Sequence, residues 1–151
     1  MKLFVLAAAV ALTLPGADLV GMKTVYLLPM SNGLDQFLAT KLTSGAVIQV
    51  VTDPAKADAI LTDHIGASFE EKLNDLYGKK AKDKDKDKDD ADARTGMQNA
   101  SHGRGTIFLV DRRTRDVIWS LYERPKSSAP DDMSRSAEKI AQKLAKDRTG
   151  K

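Results

Sequence analysis

Thr106–Leu121 reads TIFLVDRRTRDVIWSL. Two short runs of β-branched, aromatic and leucine side chains, Thr106–Val110 and Val117–Leu121, are joined by the polar stretch Asp111–Asp116, which is the pattern of a β-hairpin. With Val110 set opposite Val117, alternation places Phe108 opposite Trp119 on one side of the sheet and Leu109 and Ile118 on the other. The Phe108–Trp119 pair is then the expected aromatic centre of the core. Thr106, Phe108, Val110, Val117, Trp119 and Leu121 can enter one core, while Ile107, Leu109 and Ile118 need cover of their own. That cover comes from helices on both faces or from another protein.

Working back from the hairpin, Thr24–Pro29, Val47–Val51 and Asp58–Thr62 read as three further strands, short and rich in apolar or β-branched residues. Between the first two, Leu34, Phe37, Leu38 and Leu42 recur at helical spacing, with Ser31 or Asn32 placed to cap the helix and Gly45 to end it. Pro54 suits the first position of a short helical turn after Asp53. Ser68–Tyr77 carries a second helix, with a Ser68/Glu71 capping box and one face formed by Phe69, Leu73, Leu76 and Tyr77; Gly78 stops it. After the linker Pro125–Pro130, a helix opened by Asp131 and Asp132 turns Met133, Ala137, Ile140, Ala141 and Leu144 inward. Lys139, Lys143, Lys146 and Arg148 lie outside or near its carboxyl end, where positive charge suits the helix dipole. The fold class is α/β: one small mixed β-sheet of about five strands packed against two or three helices, with a disordered charged insert. Strand order is not readable from these patterns.

That insert is residues 79–104. Lys79–Asp92 holds six Lys and six Asp and no apolar side chain larger than alanine. Nothing there repays the entropy of ordering, so a flexible low-complexity loop is expected. A long surface insert is tolerated because the cost of closing a loop grows slowly with its length.

The chain has 151 residues, 30% of them charged, a formal net charge of +3 and no cysteine. Its length suits a single core, so residues 22–151 are expected to form one domain. That net charge is too small to argue for nucleic acid, since binders usually concentrate positive charge on one face, and no nucleic-acid partner is expected. Without cysteine there are no disulfides, iron–sulfur clusters, cysteine-ligated zinc or thiol catalysis. At the amino end, Lys2 precedes the uncharged run Leu3–Leu14, LFVLAAAVALTL, and then Pro15-Gly16. This matches a secretory signal peptide within residues 1–21 and a periplasmic or secreted product. The run is shorter than the roughly 20 residues of a spanning helix, so membrane association is expected only if the leader is not cleaved. Met22 is an alternative start, which would leave the protein in the cytoplasm.

No catalytic, cofactor-binding or metal-binding set emerges, and no cofactor is expected. His64, beside Asp63, and His102 are the two histidines, without ligand spacing. Glu70/Glu71 and Asp131/Asp132 are neighbours at helix starts, where they serve the helix dipole. The Lys–Asp alternation cancels its own field, and it lacks the glycine and distal glutamate of a calcium loop. The basic hairpin tip is the one candidate contact: Arg112, Arg113 and Arg115 could meet an acidic partner or anionic headgroups.

The segment Asp53–Thr62, DPAKADAILT, the hairpin Leu109–Ser120, LVDRRTRDVIWS, and the terminal helix together resemble a known group. These are the small α/β domains of exported bacterial envelope proteins, among them the amino-terminal domain of TolB and the CsgG curli-secretion lipoprotein. The opening Tyr26–Asp35 is similar to that of other exported proteins. The resemblance covers Thr24–Thr62 and Gly105–Asp147. It implies a non-enzymatic accessory or scaffold domain acting by protein–protein contacts at the cell envelope, with an envelope protein or a second copy as partner. A small-molecule or lipid-binding periplasmic module is the alternative, and it requires a cavity between sheet and helices. The lipobox cysteine of the lipoproteins, the propeller of TolB and the pore hairpins of the curli channel have no counterpart here, so anchoring, translocation and pore formation do not carry over.

Overall fold

The structure is a computed structural model that describes residues 18–78 and 105–150. The expected insert and most of the expected leader lie outside the described residues. Five strands form one mixed sheet: β1 Thr24–Leu27, β2 Gln49–Val50, β3 Ala59–Thr62, β4 Thr106–Asp111 and β5 Val117–Tyr122. Their order is β2-β1-β3-β4-β5. β1 pairs in parallel with β2 and β3, while β3 with β4 and β4 with β5 are antiparallel. Three helices complete the domain: α1 Leu34–Ser44, α2 Ala67–Tyr77 and α3 Pro130–Thr149. The expected α/β class with a small mixed sheet of five strands holds.

Helices cover both faces of the sheet. On one, Leu34, Leu38 and Leu42 of α1 and Met133, Ala137, Ile140, Ala141 and Leu144 of α3 close over Val25, Ala59, Leu61, Ile107, Leu109 and Trp119. On the other, Phe69 and Leu73 of α2 cover Leu28, Ile60 and Val110. β3 is buried along its whole length, which is why AILT shows no polar alternation.

The hairpin register differs from the expectation. Val110 does pair with Val117, but Trp119 lies opposite Leu109 and Phe108 opposite Ser120, because the ladder shifts between Leu109 and Val110. Ile118 is the extra residue of a β-bulge. From there onward the faces of β5 are exchanged. Trp119 joins Leu109 and Ile107 under α1 and α3, while Phe108 and Val110 go to the α2 side. Phe108 and Trp119 therefore do not form an aromatic pair, and the second apolar side of the hairpin is covered by the chain's own helices.

Helix starts differ as well. Gly66 is the N-cap of α2 and no side chain caps it; the helix begins one residue early, so Ser68 falls inside the first turn and the capping box does not form. Ser31–Gly33 is a short 3-10 turn, and Gly33 in the left-handed region precedes α1, without a bond from Ser31 or Asn32. Instead Asp35, already inside the helix, accepts the Met30 amide at 3.0 Å. Leu76 stands at the surface rather than on the buried face of α2. The terminal helix starts at Pro130, which fits the first position because proline lacks an N–H and an N–H there would have no helical partner.

Asp53–Thr62 acts as a joint between strands. Asp53 accepts the Ala55 amide at 3.0 Å and Pro54 opens the 3-10 turn Pro54–Lys56. Asp58 then accepts the amides of Lys23 and Thr24 at 2.9 and 3.0 Å, tying the start of β1 to the start of β3. Burial would raise the Asp58 pKa, but these amides, the Thr24 side chain and Arg112 hold it below the ordinary carboxylate value.

Candidate functional site

The hairpin tip is built by Asp111, whose side chain turns into the loop. Its Oδ1 accepts the amides of Arg113 and Thr114 at 2.7 and 2.9 Å, and its carbonyl accepts that of Arg115 at 3.0 Å. Closing the loop puts Arg115 in the left-handed region at φ 68°, a conformation that costs a non-glycine residue about 1 kcal/mol or more.

The three arginines part company here. Arg112 reaches back over the sheet end and its Nη1 donates to the Ala55 carbonyl at 3.0 Å. Its guanidinium lies 5.5 Å from the centre of the Tyr77 ring, and that of Arg115 lies 5.9 Å from the same ring. Both distances suit cation–π attraction. Tyr77 ends α2 and is held in place by its hydroxyl, which donates to the Pro54 carbonyl at 2.8 Å. Burial raises the Tyr77 pKa, against the pull of Arg112 and Arg115. Arg113 is exposed beside this stack. Arg112 Nε and Arg115 Nη1 are shielded from water and have no hydrogen-bond partner among the described residues, a cost of holding both guanidinium groups against one ring. Sequence reasoning picked out the arginines but missed Tyr77. No local signal connects a tyrosine at the end of one helix with a turn far along the chain.

At the opposite end of the sheet, beyond the carboxyl ends of β1 and β3, a cleft of about 320 Å³ is lined in part by Ser31, Asn32, Asp63, Arg124, Lys126 and Ser127. This is the side of an α/β sheet on which ligands commonly sit. Asp63 anchors its wall: Oδ2 accepts the Ser31 amide at 2.8 Å and Oδ1 lies 2.7 Å from His64 Nδ1. Burial alone would raise the Asp63 pKa. The His64 ring and the Ser31 amide and hydroxyl outweigh it and hold the value at about 2. His64 Nε2 lies 3.4 Å from Lys72 Nζ, so both ring nitrogens have neighbours within the chain. His102 lies outside the described residues, and among those described no group of three acidic or histidine side chains is placed to hold a metal ion. Glu70 and Asp131/Asp132 sit in the first turns of α2 and α3.

Between sheet and helices the side chains are closed against one another; Leu38, Leu61, Leu73, Ile107 and Ile140 are all 0% exposed. The cleft therefore lies at the rim of the sheet rather than within the core. Among the described residues no helix is long and apolar enough to cross a membrane. The fold and the two surface features define a small α/β domain with a basic hairpin tip and a polar rim cleft. No family model, curated protein or solved structure matches the chain.

Proposed function

We propose that this chain is a non-enzymatic accessory or scaffold domain, exported to the periplasm or secreted, that works through protein–protein contacts at the bacterial cell envelope. Its partner presents an acidic surface to the hairpin tip. The observation that carries this reading is the Arg112–Tyr77–Arg115 stack: two guanidinium groups are held on one ring, with a third, Arg113, exposed beside them. Held charges lose less freedom on binding than mobile ones, which favours recognition of carboxylates. The envelope setting comes from the leader-like start and from the resemblance described above.

The test compares proteins captured from envelope extracts by the full chain and by a variant carrying Arg112→Ala, Arg113→Ala and Arg115→Gly. Arg115→Gly removes a guanidinium while easing the backbone. Because Arg112 also ties the Ala55 loop, Arg113→Glu alone is run in parallel. Loss of a specific envelope protein with both variants is expected; capture unchanged by either rejects the tip as the contact. Cell fractionation with mass measurement of the amino terminus tests export, and an intact Met1 in the cytosol overturns it.

With the space between sheet and helices closed, the small-molecule alternative loses the cavity it required, and a second reading, a periplasmic module for a small polar molecule, rests on the rim cleft alone. Chemical-shift changes at the Asn32 and Lys126 amides on adding candidate small polar molecules, followed by NMR, would favour it.

A further inference from the structure

The rim cleft lies where two connections of the chain diverge. From the carboxyl end of β1 the chain enters α1, on one face of the sheet, and goes on to β2. From that of the neighbouring β3 it enters α2, on the other face. Open α/β sheets bind their ligands in the crevice that such a divergence opens. The floor here is apolar and buried, made by Leu34, Ile107 and Met133. One wall carries Asn32 and Asp63, just beyond β1 and β3; the other is the segment after β5, with Arg124 and Lys126. β4 separates β3 from β5, so the strands that bear Asp63 and the two cations run roughly 10 Å apart at ordinary sheet spacing.

The basic wall is fastened in place. Gly105, at φ 107°, lets it lie close over the start of β4, since a Cβ on this residue would meet Arg124 Cβ at 2.9 Å. The Glu123 amide donates to the Gly105 carbonyl at 2.7 Å, and the Glu123 carboxylate accepts from Ser136 and Lys139 of α3. On the far side, Ser127 Oγ donates to Asp132 Oδ2 at 2.6 Å. Arg124 and Lys126 therefore sit between two anchors, and neither has an ion-pair partner among the described residues. The acidic side chains at the anchors are engaged, Glu123 with Lys139 and Asp132 with Arg135. Asp63 spends its oxygens on the Ser31 amide and the His64 ring. At its separation from the basic wall, about one Debye length in physiological salt, it repels an anion there only weakly. We propose that the cleft binds the oxyanion of a small organic molecule, a carboxylate or a phosphate group, through Arg124 and Lys126. Cations already held in position lose little freedom on binding, and the rest of the molecule lies on the apolar floor toward Asn32. This names the ligand class for the rim-cleft reading given above, and it rests on that reading.

NMR titration of the full chain tests the assignment, with inorganic phosphate, succinate and neutral glucose as separate probes at constant ionic strength. At least one of the two anions is expected to move the Asn32 and Lys126 amides along a saturable curve. Which anion binds more tightly distinguishes a phosphate from a carboxylate. Arg124→Gln and Lys126→Gln should each weaken that binding at least about tenfold, because each removes a charged donor. Arg113→Gln, at the opposite end of the sheet, removes the same charge and should leave it unchanged. Equal losses in all three variants overturn the assignment, as does saturation that survives both cleft variants. If glucose moves these amides and neither anion does, the assignment falls while the cleft reading stands. No response to any of the three probes removes both.

Discussion

Trp119 Nε1 donates to Asp147 Oδ2 at 2.9 Å, which joins the middle of β5 to the last turn of α3. Lys143, one turn earlier on the helix, holds the other carboxylate oxygen at 2.7 Å. Lys143 and the indole N–H together keep the Asp147 pKa below the ordinary value. The indole body packs with Leu109 and Ile107 under the two helices and is 9% exposed. Trp119→Ala should therefore cost about 3–5 kcal/mol in chemical unfolding. Trp119→Phe keeps most of the apolar contact, loses the bond to Asp147, and should fall between the wild type and the alanine variant. Equal losses for the two variants would mean that the ring itself contributes little.

Asp63 sets an acid limit on stability. Its pKa is held at about 2 in the fold against 3.8 as the ordinary value. A carboxyl with a depressed folded pKa stabilises the fold fully above the unfolded value and loses that contribution as pH falls through the folded one. The decline should therefore run from about pH 4 down to pH 2. The difference corresponds to an upper figure of about 2 kcal/mol. Thermal unfolding followed across this range should show the slope in the wild type and a flatter profile in Asp63→Asn, which should already be less stable at neutral pH. Parallel profiles for the two would remove Asp63 as the cause.

The carboxyl end of α1 places its glycine one position early. Val47 donates its amide to the Leu42 carbonyl and Ala46 donates to that of Thr43, both at 3.1 Å, the paired bonds of a Schellman motif. The position that must turn left-handed in this motif is Ala46, at φ 48°, whereas Gly45 is in the ordinary right-handed region. Ala46→Gly should raise stability by about 0.5–1 kcal/mol, since relief of strain exceeds the added entropy of the unfolded chain. Gly45→Ala should not help, because its added methyl would lie 3.1 Å from the Lys41 carbonyl oxygen. A neutral or destabilising Ala46→Gly would show that the turn is not strained.

The parts of this fold that follow from local period were legible in the sequence. All five inward residues expected on α3 are buried, because helical spacing depends on near neighbours alone. The hairpin and its Val110–Val117 pair were equally plain. The bulge was not, since Ile118 and Trp119 are both large and apolar and no glycine marks the extra residue. β2 shrank to two residues because Val47 closes the α1 turn and Ile48 is drawn into the core. The Ser68 cap failed because Gly66 offered an earlier start. At the candidate site, the arginines were visible as a charged turn, but their shared contact with Tyr77 depends on how α2 and the hairpin meet across the sheet end.

Arg148 shows how far a helix-end cation can depart from a solvated role. Positive charge at the end of α3 suits the helix dipole, yet the Arg148 guanidinium reaches inward. Nη2 donates to the Met22 carbonyl at 2.6 Å and Nη1 donates to that of Val47. One side chain thus ties the last helix to Met22, two residues before β1, and to the turn leading into β2. A planar fork can serve two carbonyls at once, whereas an ammonium donates from a single point. Arg148→Met should cost about 1–3 kcal/mol, because two partly buried acceptors lose their donor, and Arg148→Lys should recover part of it. Hydrogen exchange should locate the damage. The amides of Gln49 and Val51, which bond to Lys23 and Val25 in β1's neighbourhood, should exchange faster in Arg148→Met. That of Leu28, bonded to Leu61 at the opposite end of β1, should keep its protection. Uniform acceleration of all three would mean that Arg148 supports the domain as a whole rather than this corner of the sheet.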